Sequence, residues 1–476
     1  MTSFEGRVEE LRNVSIDCFE NSNIYSTTFF LTHCHTDHMK GLRSYIFLKR
    51  LADETNVHLY CSEITAHILA TENTFAEVVH KIRVLPVGVS TIVNIPSHTG
   101  PAEDITVTLI PTGHCPGAVM FLFEGEMGRI LYSGDFRLCE GDVSRLRQLH
   151  YLDGTVKAID KLYLDTTFLS RQYLQFPSRH SSISILCSHI SSWLQEEPDN
   201  AIYIEMPANY GSEAVFIEVA KCLGMKVHVK DRAYNIYKNI AEIREAVTDD
   251  PCCTRIHACL PCGHKFLTGD KTTMLPCQGK LMKLRIIRLC AMSFTSKVYD
   301  GSLESAVLQS ACKELFRICY SSHCSYRELE HFVQYLKPRQ IEACVIPRNM
   351  EVADILQLLR EISRGGNGYI DLPVLTVSSR KVTRNGVSTD VKTFFSSRHT
   401  EQQNTITSHN ETNMKEASQC NMQNEEGYVD SEICRLIAED LKPKIGDHDV
   451  DVRHRISQAF LETAAALNKP AVRKNC

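Results

Sequence analysis

The stretch that most constrains this chain is Thr27-Thr28-Phe29-Phe30-Leu31-Thr32, followed at once by His33-Cys34-His35-Thr36-Asp37-His38. The apolar run reads as a buried strand, and the polar cluster that ends it holds three histidines and an aspartate in six positions. His33 and His35 are two apart, so at a strand end both point to one side. Asp37 and His38 follow where the next helix is expected to begin, within reach of the same place. Neutral imidazole suits borderline metals such as zinc, and a carboxylate adds a hard oxygen. More candidates stand where later strands are expected to end: His114 in PTGHCPG, Asp135 in YSGDF and Asp165 in LYLDTTF. A lone histidine in such a position is ordinarily a satisfied surface or core side chain. Repetition at successive strand ends points instead to a metal centre.

The rest of the first part alternates short strands and helices. MKGLRSYIFLKRLA has helical spacing, VTLIPTGH reads as a strand, and AVMFLFEGEMGRILYSGD reads as a hairpin turning between Glu124 and Gly128. The middle repeats this rhythm: NAIYIEM as a strand, GSEAVFIEVAKCLG as a helix closed by Gly224, and KVHV, TRIHACL and LMKLRIIRL as strands. A third part runs from LFRICYSSHCSY through a helix near 325–336, the strand EACVIP and the helix EVADILQLLREIS. From about 384 the texture turns polar and reads as a disordered tail, with Ile456, Phe460 and Leu467 as one stripe of a short terminal helix.

Composition narrows the class. The 476 residues are 43% hydrophobic and 23% charged, enough for a sizeable core. A net charge of -5 argues mildly against a dedicated nucleic-acid binder, although bound cations reverse the sign of a groove locally. The first 30 residues carry no apolar leader and no uncharged apolar run reaches about 18 residues, so neither a secretory signal nor a membrane span is expected. The 20 cysteines are then expected as buried thiols or metal ligands rather than disulfides.

THCHTDHMKGL, GHCPGAVMFLFEG, YSGDFR and YLDTTF together resemble the DNA-processing branch of the metallo-β-lactamase/β-CASP nucleases. The likeness covers roughly residues 1–380, and SFEG and SIDCFE near the start resemble its end-joining members. It implies an α/β fold: a metallo-β-lactamase αββα sandwich with an inserted β-CASP α/β domain and a disordered C-terminal tail. The corresponding ranges are 1–155 and 317–383 for the sandwich, 156–316 for the insert and 384–476 for the tail. The resemblance assigns one catalytic metal to His33, His35, His114 and Asp135, and a second to Asp37, His38 and the shared Asp135. It makes Asp37, Asp165 and His323 catalytic, with Asp165 beside the metals or orienting a ligand histidine, and His323 donating a hydrogen bond or proton to phosphate or leaving oxygen. Asp17 is expected to support the site. Zn²⁺ is the expected metal, with Mg²⁺ or Mn²⁺ as alternatives for nuclease activity.

Val345 in EACVIPR falls where the family's RNA-processing members carry a histidine, which by resemblance indicates DNA. A second cluster holds His228, His257, Cys259, Cys262, His264 and Cys277, with Cys252 and Cys253 as further candidates. Spacing permits a compact zinc site of His257, Cys259, Cys262 and His264 or a dispersed one of His228, His257, Cys259 and Cys277. The resemblance favours the dispersed set as a structural His2Cys2 site. Ser321, Ser322 and Ser325 are candidates for phosphate contact or helix capping. Lys283 and Arg285 are candidates for DNA contact or for charges guarding an edge strand.

The expected function is a metal-dependent DNA endonuclease that opens hairpins and trims overhangs in end joining of double-strand breaks, with 5′ exonuclease activity. The alternative is a 5′-phosphate-dependent exonuclease of cross-link repair or telomere end processing. A small-molecule hydrolase is opposed by the Asp165 and His323 motifs. The resemblance also implies DNA as partner, a DNA-dependent protein kinase and a DNA ligase complex, a monomer away from membranes, and the nucleus.

Overall fold

Four short strands, β1 (Val14–Ile16), β2 (Thr28–Phe30), β3 (His58–Cys61) and β4 (Ile82–Val84), pair in parallel in chain order. The computed structural model describes residues 2–205, 210–260, 273–310, 315–347, 349–364 and 373–378. The expected tail, its helical stripe, Cys262 and His264 lie outside those residues. Helices α1 (Tyr45–Asp53) and α2 (Glu63–Ala70) link the strands, and each begins at a serine, Ser44 or Ser62, whose hydroxyl accepts a first-turn N–H.

The helix expected directly at Asp37 is delayed. Thr36–His38 forms a single 3-10 turn, and α1 starts only at Tyr45. Gly41 stands between them at φ +76°, where a Cβ would lie 2.7 Å from the Phe19 backbone, so the chain turns there and cannot continue as a helix.

A second sheet begins with β5 (Ser90–Ile95), β6 (Glu103–Pro111), β7 (Val119–Gly125) and β8 (Gly128–Tyr132), all antiparallel, followed by β9 (Lys161–Leu164) parallel to β8. The β7–β8 hairpin turns where the sequence indicates, with Gly125 opposite Gly128.

The chain then builds a third sheet from β10 (Asn200–Glu205), β11 (Val227–His228), β12 (Val247–Thr248), β13 (Ile256–His257), β14 (Thr273–Leu275), β15 (Lys280–Cys290), β16 (Val307–Gln309) and β17 (Leu315–Cys319). Helices α3 (Arg179–Glu196), α4 (Glu213–Leu223), α5 (Asp231–Tyr237) and α6 (Ala241–Arg244) accompany it. Gly224 closes α4 in the left-handed conformation. The chain finally returns to the second sheet through α7 (Tyr326–Leu336), β18 (Gln340–Ala343), α8 (Val352–Arg364) and β19 (Val374–Val377), with β18 parallel to β9.

Strand β7 shows how the layers hold together. Val119, Phe121 and Phe123 face the core between the first two sheets, while Met120 and Leu122 face the core under α7 and α8. Both faces are buried, so the segment is apolar throughout instead of alternating. On the far side of the first sheet, Phe29, Leu31 and Leu59 join Phe47 and Leu51 of α1 and continue into α3, α4 and β10. The result is the expected αββα sandwich, bound to the third sheet by a shared core.

Candidate metal centre

Each acidic or imidazole candidate lies just past the C-terminal end of a strand: Asp17 after β1, His33, His35 and His38 after β2, His114 after β6, Asp135 after β8, Asp165 after β9 and His323 after β17. Strand ends are where backbone leaves the ladder and side chains can converge. Gly134 permits the closest approach, because at φ +52° it lies against Thr32, and a Cβ would fall 2.9 Å from the Thr32 methyl.

Asp135 is the centre of the cluster. Its carboxylate lies 3.7 Å from His33 Nε2, 3.2 Å from His38 Nε2, 3.5 Å from His114 Nε2 and 3.9 Å from His323 Nε2. His35 Nδ1 is 2.9 Å from His114 Nε2. Ligand atoms of His33, His35, His114 and Cys115 fall within 4.8 Å of one another, as do those of His33, His38 and Asp135, and those of His114, Asp135 and His323. Asp37 stands outside these three sets and accepts the Thr2 N–H at 3.2 Å. Asp165 also stands behind the cluster.

The outward nitrogen of every ring is committed. His38 Nδ1 donates to Asp17 Oδ2 at 2.8 Å, His114 Nδ1 to the Ser322 carbonyl at 2.9 Å, His35 Nε2 to the Tyr210 carbonyl at 2.9 Å and His323 Nδ1 to Asp165 Oδ2 at 2.8 Å. The Thr32 hydroxyl donates to Asp17 Oδ2 at 2.7 Å, so its oxygen accepts from His33 Nδ1 at 2.9 Å. These partners orient each ring and turn the inner nitrogens of His33, His38, His114 and His323 toward Asp135, and that of His35 toward His114. His33 Nε2 and His38 Nε2 are sealed from solvent without a hydrogen-bond partner. Convergent lone pairs around a carboxylate repel unless a cation lies among them, so the donor set fits divalent metal. Four such residues, His33, His35, His114 and Asp135, could hold one ion, and His38 with Asp135 could contribute to a second.

The electrostatics divide the rings into two groups. Burial pushes His33 and His114 well below the ordinary imidazole range and lowers His35, which keeps these rings neutral and ready to ligate. Burial opposes charge on His38 and His323 too, but Asp135 with Asp17 raises the first and Asp165 with Asp135 raises the second. Burial disfavours the Asp135 carboxylate, yet His38 and His323 hold it well below its usual range. Asp37 is likewise held down by His38 against burial.

Other candidates resolve differently. Ser325 is the N-cap of α7 in a reciprocal capping box with Glu328, and Ser321 donates to the His323 carbonyl while accepting the His323 N–H. Both hydroxyls serve the chain itself. Ser322 contributes its carbonyl, to His114. Strand β15 runs between β10 and β17, but β17 pairs only with its Ile286–Cys290 stretch, while Lys283 and Arg285 lie opposite Asn200 and Ile202 of β10. Lys283 pairs with Glu197 at 2.5 Å, and the Arg285 guanidinium lies 4.1 Å from the Trp193 ring centre and 5.0 Å from that of Phe316. Neither joins the metal cluster.

The dispersed second cluster comes together. His228 and His257 face each other across paired β11 and β13, Cys259 follows β13, and Cys277 sits in the turn between β14 and β15; their ligand atoms lie within 4.8 Å of one another. His257 Nε2 is buried without a partner. A hydrogen bond from Cys259 lowers the Cys277 thiol, which favours the thiolate that a metal would bind.

Sequence reasoning missed Thr32, Tyr210 and Cys115. Thr32 was legible in principle, as the residue directly before His33. Tyr210 acts through its backbone, which no side-chain pattern reveals.

Comparison with known proteins matches residues 27–193 to a beta-lactamase superfamily domain and residues 241–349 to the DNA repair metallo-beta-lactamase family. Protein artemis from Homo sapiens is 36% identical over 370 residues, 76% of this chain and 52% of the relative. Protein artemis from Danio rerio is 34% identical over 391 residues, 81% of this chain and 60% of the relative. DNA cross-link repair 1A protein from Homo sapiens is 31% identical over 332 residues, 69% of this chain and 29% of the relative. The chain thus spans about half the length of the artemis proteins it matches.

Proposed function

We infer function from one premise: this chain belongs to the metallo-β-lactamase/β-CASP family, in its DNA-repair branch. On that footing it is a metal-dependent hydrolase of DNA phosphodiesters. The observation that carries this is the convergence of four imidazoles, those of His33, His38, His114 and His323, on buried Asp135, with His35 set against His114. Metal held by His33, His35, His38, His114 and Asp135 would polarise the phosphodiester and lower the pKa of a bound water toward neutrality. The chain's own groups do the rest. Asp17 and Thr32 lock His38 and His33. Asp165, itself held by Thr167 and Ser133, orients His323. The His323 side chain keeps 21% exposure, so its ring can present a hydrogen bond or proton to a phosphate or leaving oxygen arriving from outside.

Within this class the best-supported activity is endonucleolytic: opening hairpins and trimming overhangs at broken ends, with 5′ exonuclease action. The likeness to artemis proteins supports it, and so does Val345. That residue is buried, with its N–H and carbonyl both bonded to the Thr166 hydroxyl, and an apolar chain there adds no ligand to the metals. The same likeness supports nuclear end joining alongside a DNA-dependent protein kinase and a DNA ligase complex, with the nuclease as a monomer. Zinc is the metal the donor set favours, with Mg²⁺ or Mn²⁺ to be compared.

The test is cleavage of a labelled hairpin, a 5′-hydroxyl overhang and a 5′-phosphorylated duplex by wild type and His33→Ala under each metal. Internal cuts at the hairpin tip or the single–double-strand junction, absent in the variant, are expected. Stepwise release from 5′-phosphorylated ends alone would move the protein to the cross-link-repair type of exonuclease.

A further inference from the structure

Cys115 follows His114 directly and opens the turn Cys115-Pro116-Gly117-Ala118, closed by the Ala118 N–H on the Cys115 carbonyl at 3.0 Å. Pro116 presets the second position, and Gly117 takes the left-handed third one at φ +79°. The hydroxyls of Ser62 and Thr65 reach the Gly117 carbonyl at 2.6 and 3.2 Å, so the turn is pinned to the start of α2. Gly211 stands against it: the place of a Cβ there lies 3.6 Å from the Cys115 Cβ and 3.9 Å from His35 Nε2. Thiol and ring thus border one space.

The ligand atoms of His33, His35, His114 and Cys115 lie within 4.8 Å of one another. The two further sets, His33 with His38 and Asp135, and His114 with Asp135 and His323, contain Asp135 but not Cys115. His33, His35 and His114 therefore have two candidate fourth donors, a carboxylate and a thiol. His33 Nε2, fully buried and without a hydrogen-bond partner, calls for a cation independently of the cysteine. Thiolate and carboxylate bring the same single negative charge, so charge does not choose between them. Softness does: a hard cation such as Mg²⁺ or Mn²⁺ takes oxygen, and a soft one takes sulfur. Burial raises the Cys115 thiol well above its ordinary range, so it keeps its proton until a thiophilic ion displaces that proton to solvent.

We propose that His33, His35, His114 and Cys115 form an alternative, closed site for a soft divalent cation, with the Cys115 sulfur in place of the Asp135 carboxylate. Three nitrogens and one sulfur complete a tetrahedron and leave no position for water or substrate. Filling it takes the ion away from Asp135, the carboxylate shared by the hydrolytic donors, and so inhibits cleavage. That consequence rests on the nuclease reading; the site itself does not.

The experiment uses the full chain with Cd²⁺ as the probe, in wild type, Cys115→Ser, Cys115→Ala and Asp135→Ala. Cadmium NMR reads the sites, because each bound thiolate moves the metal resonance downfield. Wild type is expected to show a single-thiolate resonance upfield of the one from the two-thiol cluster of His228, His257, Cys259 and Cys277. Both Cys115 variants are expected to lose the single-thiolate resonance and keep the other, which reports an intact fold. Asp135→Ala is expected to keep both. A wild-type spectrum in the Cys115 variants, or a single-thiolate resonance lost in Asp135→Ala, would overturn the proposal. In a second arm a labelled hairpin is cut with Mg²⁺ or Mn²⁺ and increasing Cd²⁺, each protein scored against its own rate without Cd²⁺. Half-inhibition of Cys115→Ser is expected to need about tenfold more Cd²⁺ than wild type. An unchanged half-inhibiting concentration beside a lost resonance would keep the site and reject its effect on cleavage. If wild type cuts no DNA at all, the spectra still decide the site.

Discussion

The two histidine clusters are built from similar parts and arranged for different work. Around Asp135 the donors are nitrogen and oxygen with the Cys115 sulfur beside them, more of them converge than one tetrahedral ion needs, and each ring is braced from outside by Asp17, Thr32, Ser322, Tyr210 or Asp165. His323 leaves one side reachable from solvent. The second cluster offers four donors, two of them thiols, and His228, His257 and Cys259 are buried. Four N/S donors close a tetrahedron and leave no position for substrate. The difference teaches that bracing and access, rather than the mere presence of histidines, separate a reaction centre from a clamp.

That contrast can be broken at its strongest point first. Asp135→Ala removes the carboxylate common to the rings and is expected to lower kcat/KM on a cleaved DNA by on the order of 10³-fold or more. Its thermal midpoint, measured by scanning calorimetry, should fall little. Cys277→Ser acts the other way: loss of metal from the second cluster is expected to cost about 3 kcal/mol or more of stability, seen as a midpoint lower by roughly 6 °C. Cleavage by the fraction that stays folded should persist.

Asp17→Asn tests the bracing. It keeps the shape of the side chain but removes the charge that receives His38 Nδ1 and the Thr32 hydroxyl, and metal affinity by competitive chelation should fall about 10–100-fold. The smallest effect is expected at Arg285→Lys, which gives up the guanidinium stack on Trp193 and Phe316. A loss of about 1 kcal/mol with unchanged kcat and KM would confirm that this residue supports the third sheet and does not touch DNA. A salt-dependent rise in KM would restore it as a DNA contact.

The two regions were also unequally legible. The first cluster was readable because His33, His35, Asp37 and His38 fall within six positions and the other ligands each follow a strand whose apolar run is visible. Asp37 stays a proposed ligand of the second ion: its carboxylate accepts the Thr2 N–H and lies close enough to His38 to be held down by it. The second cluster could not be chosen from spacing, because His228 meets His257 only through the pairing of β11 with β13, a non-local fact. The three serines near His323 were ambiguous for a similar reason: one hydroxyl serves a phosphate or a helix N-terminus equally well, and the capping box of Ser325 with Glu328 decides for that residue only once α7 exists. Lys283 and Arg285 precede the stretch of β15 that meets β17, and the fold commits them to α3 and its end, Lys283 to Glu197 and Arg285 to the face of Trp193.

The most direct test of the account joins metal content and cleavage in the same samples. Asp135→Ala, Cys277→Ser and wild type would be assayed by elemental mass spectrometry and by product mapping on one 5′-labelled hairpin. The account predicts that Asp135→Ala keeps the metal of the second cluster and cuts nothing. It predicts that Cys277→Ser loses that metal, melts earlier and still cuts near the tip. Wild-type cleavage by Asp135→Ala, or an intact fold with no cleavage in Cys277→Ser, would contradict the division of labour between the two sites.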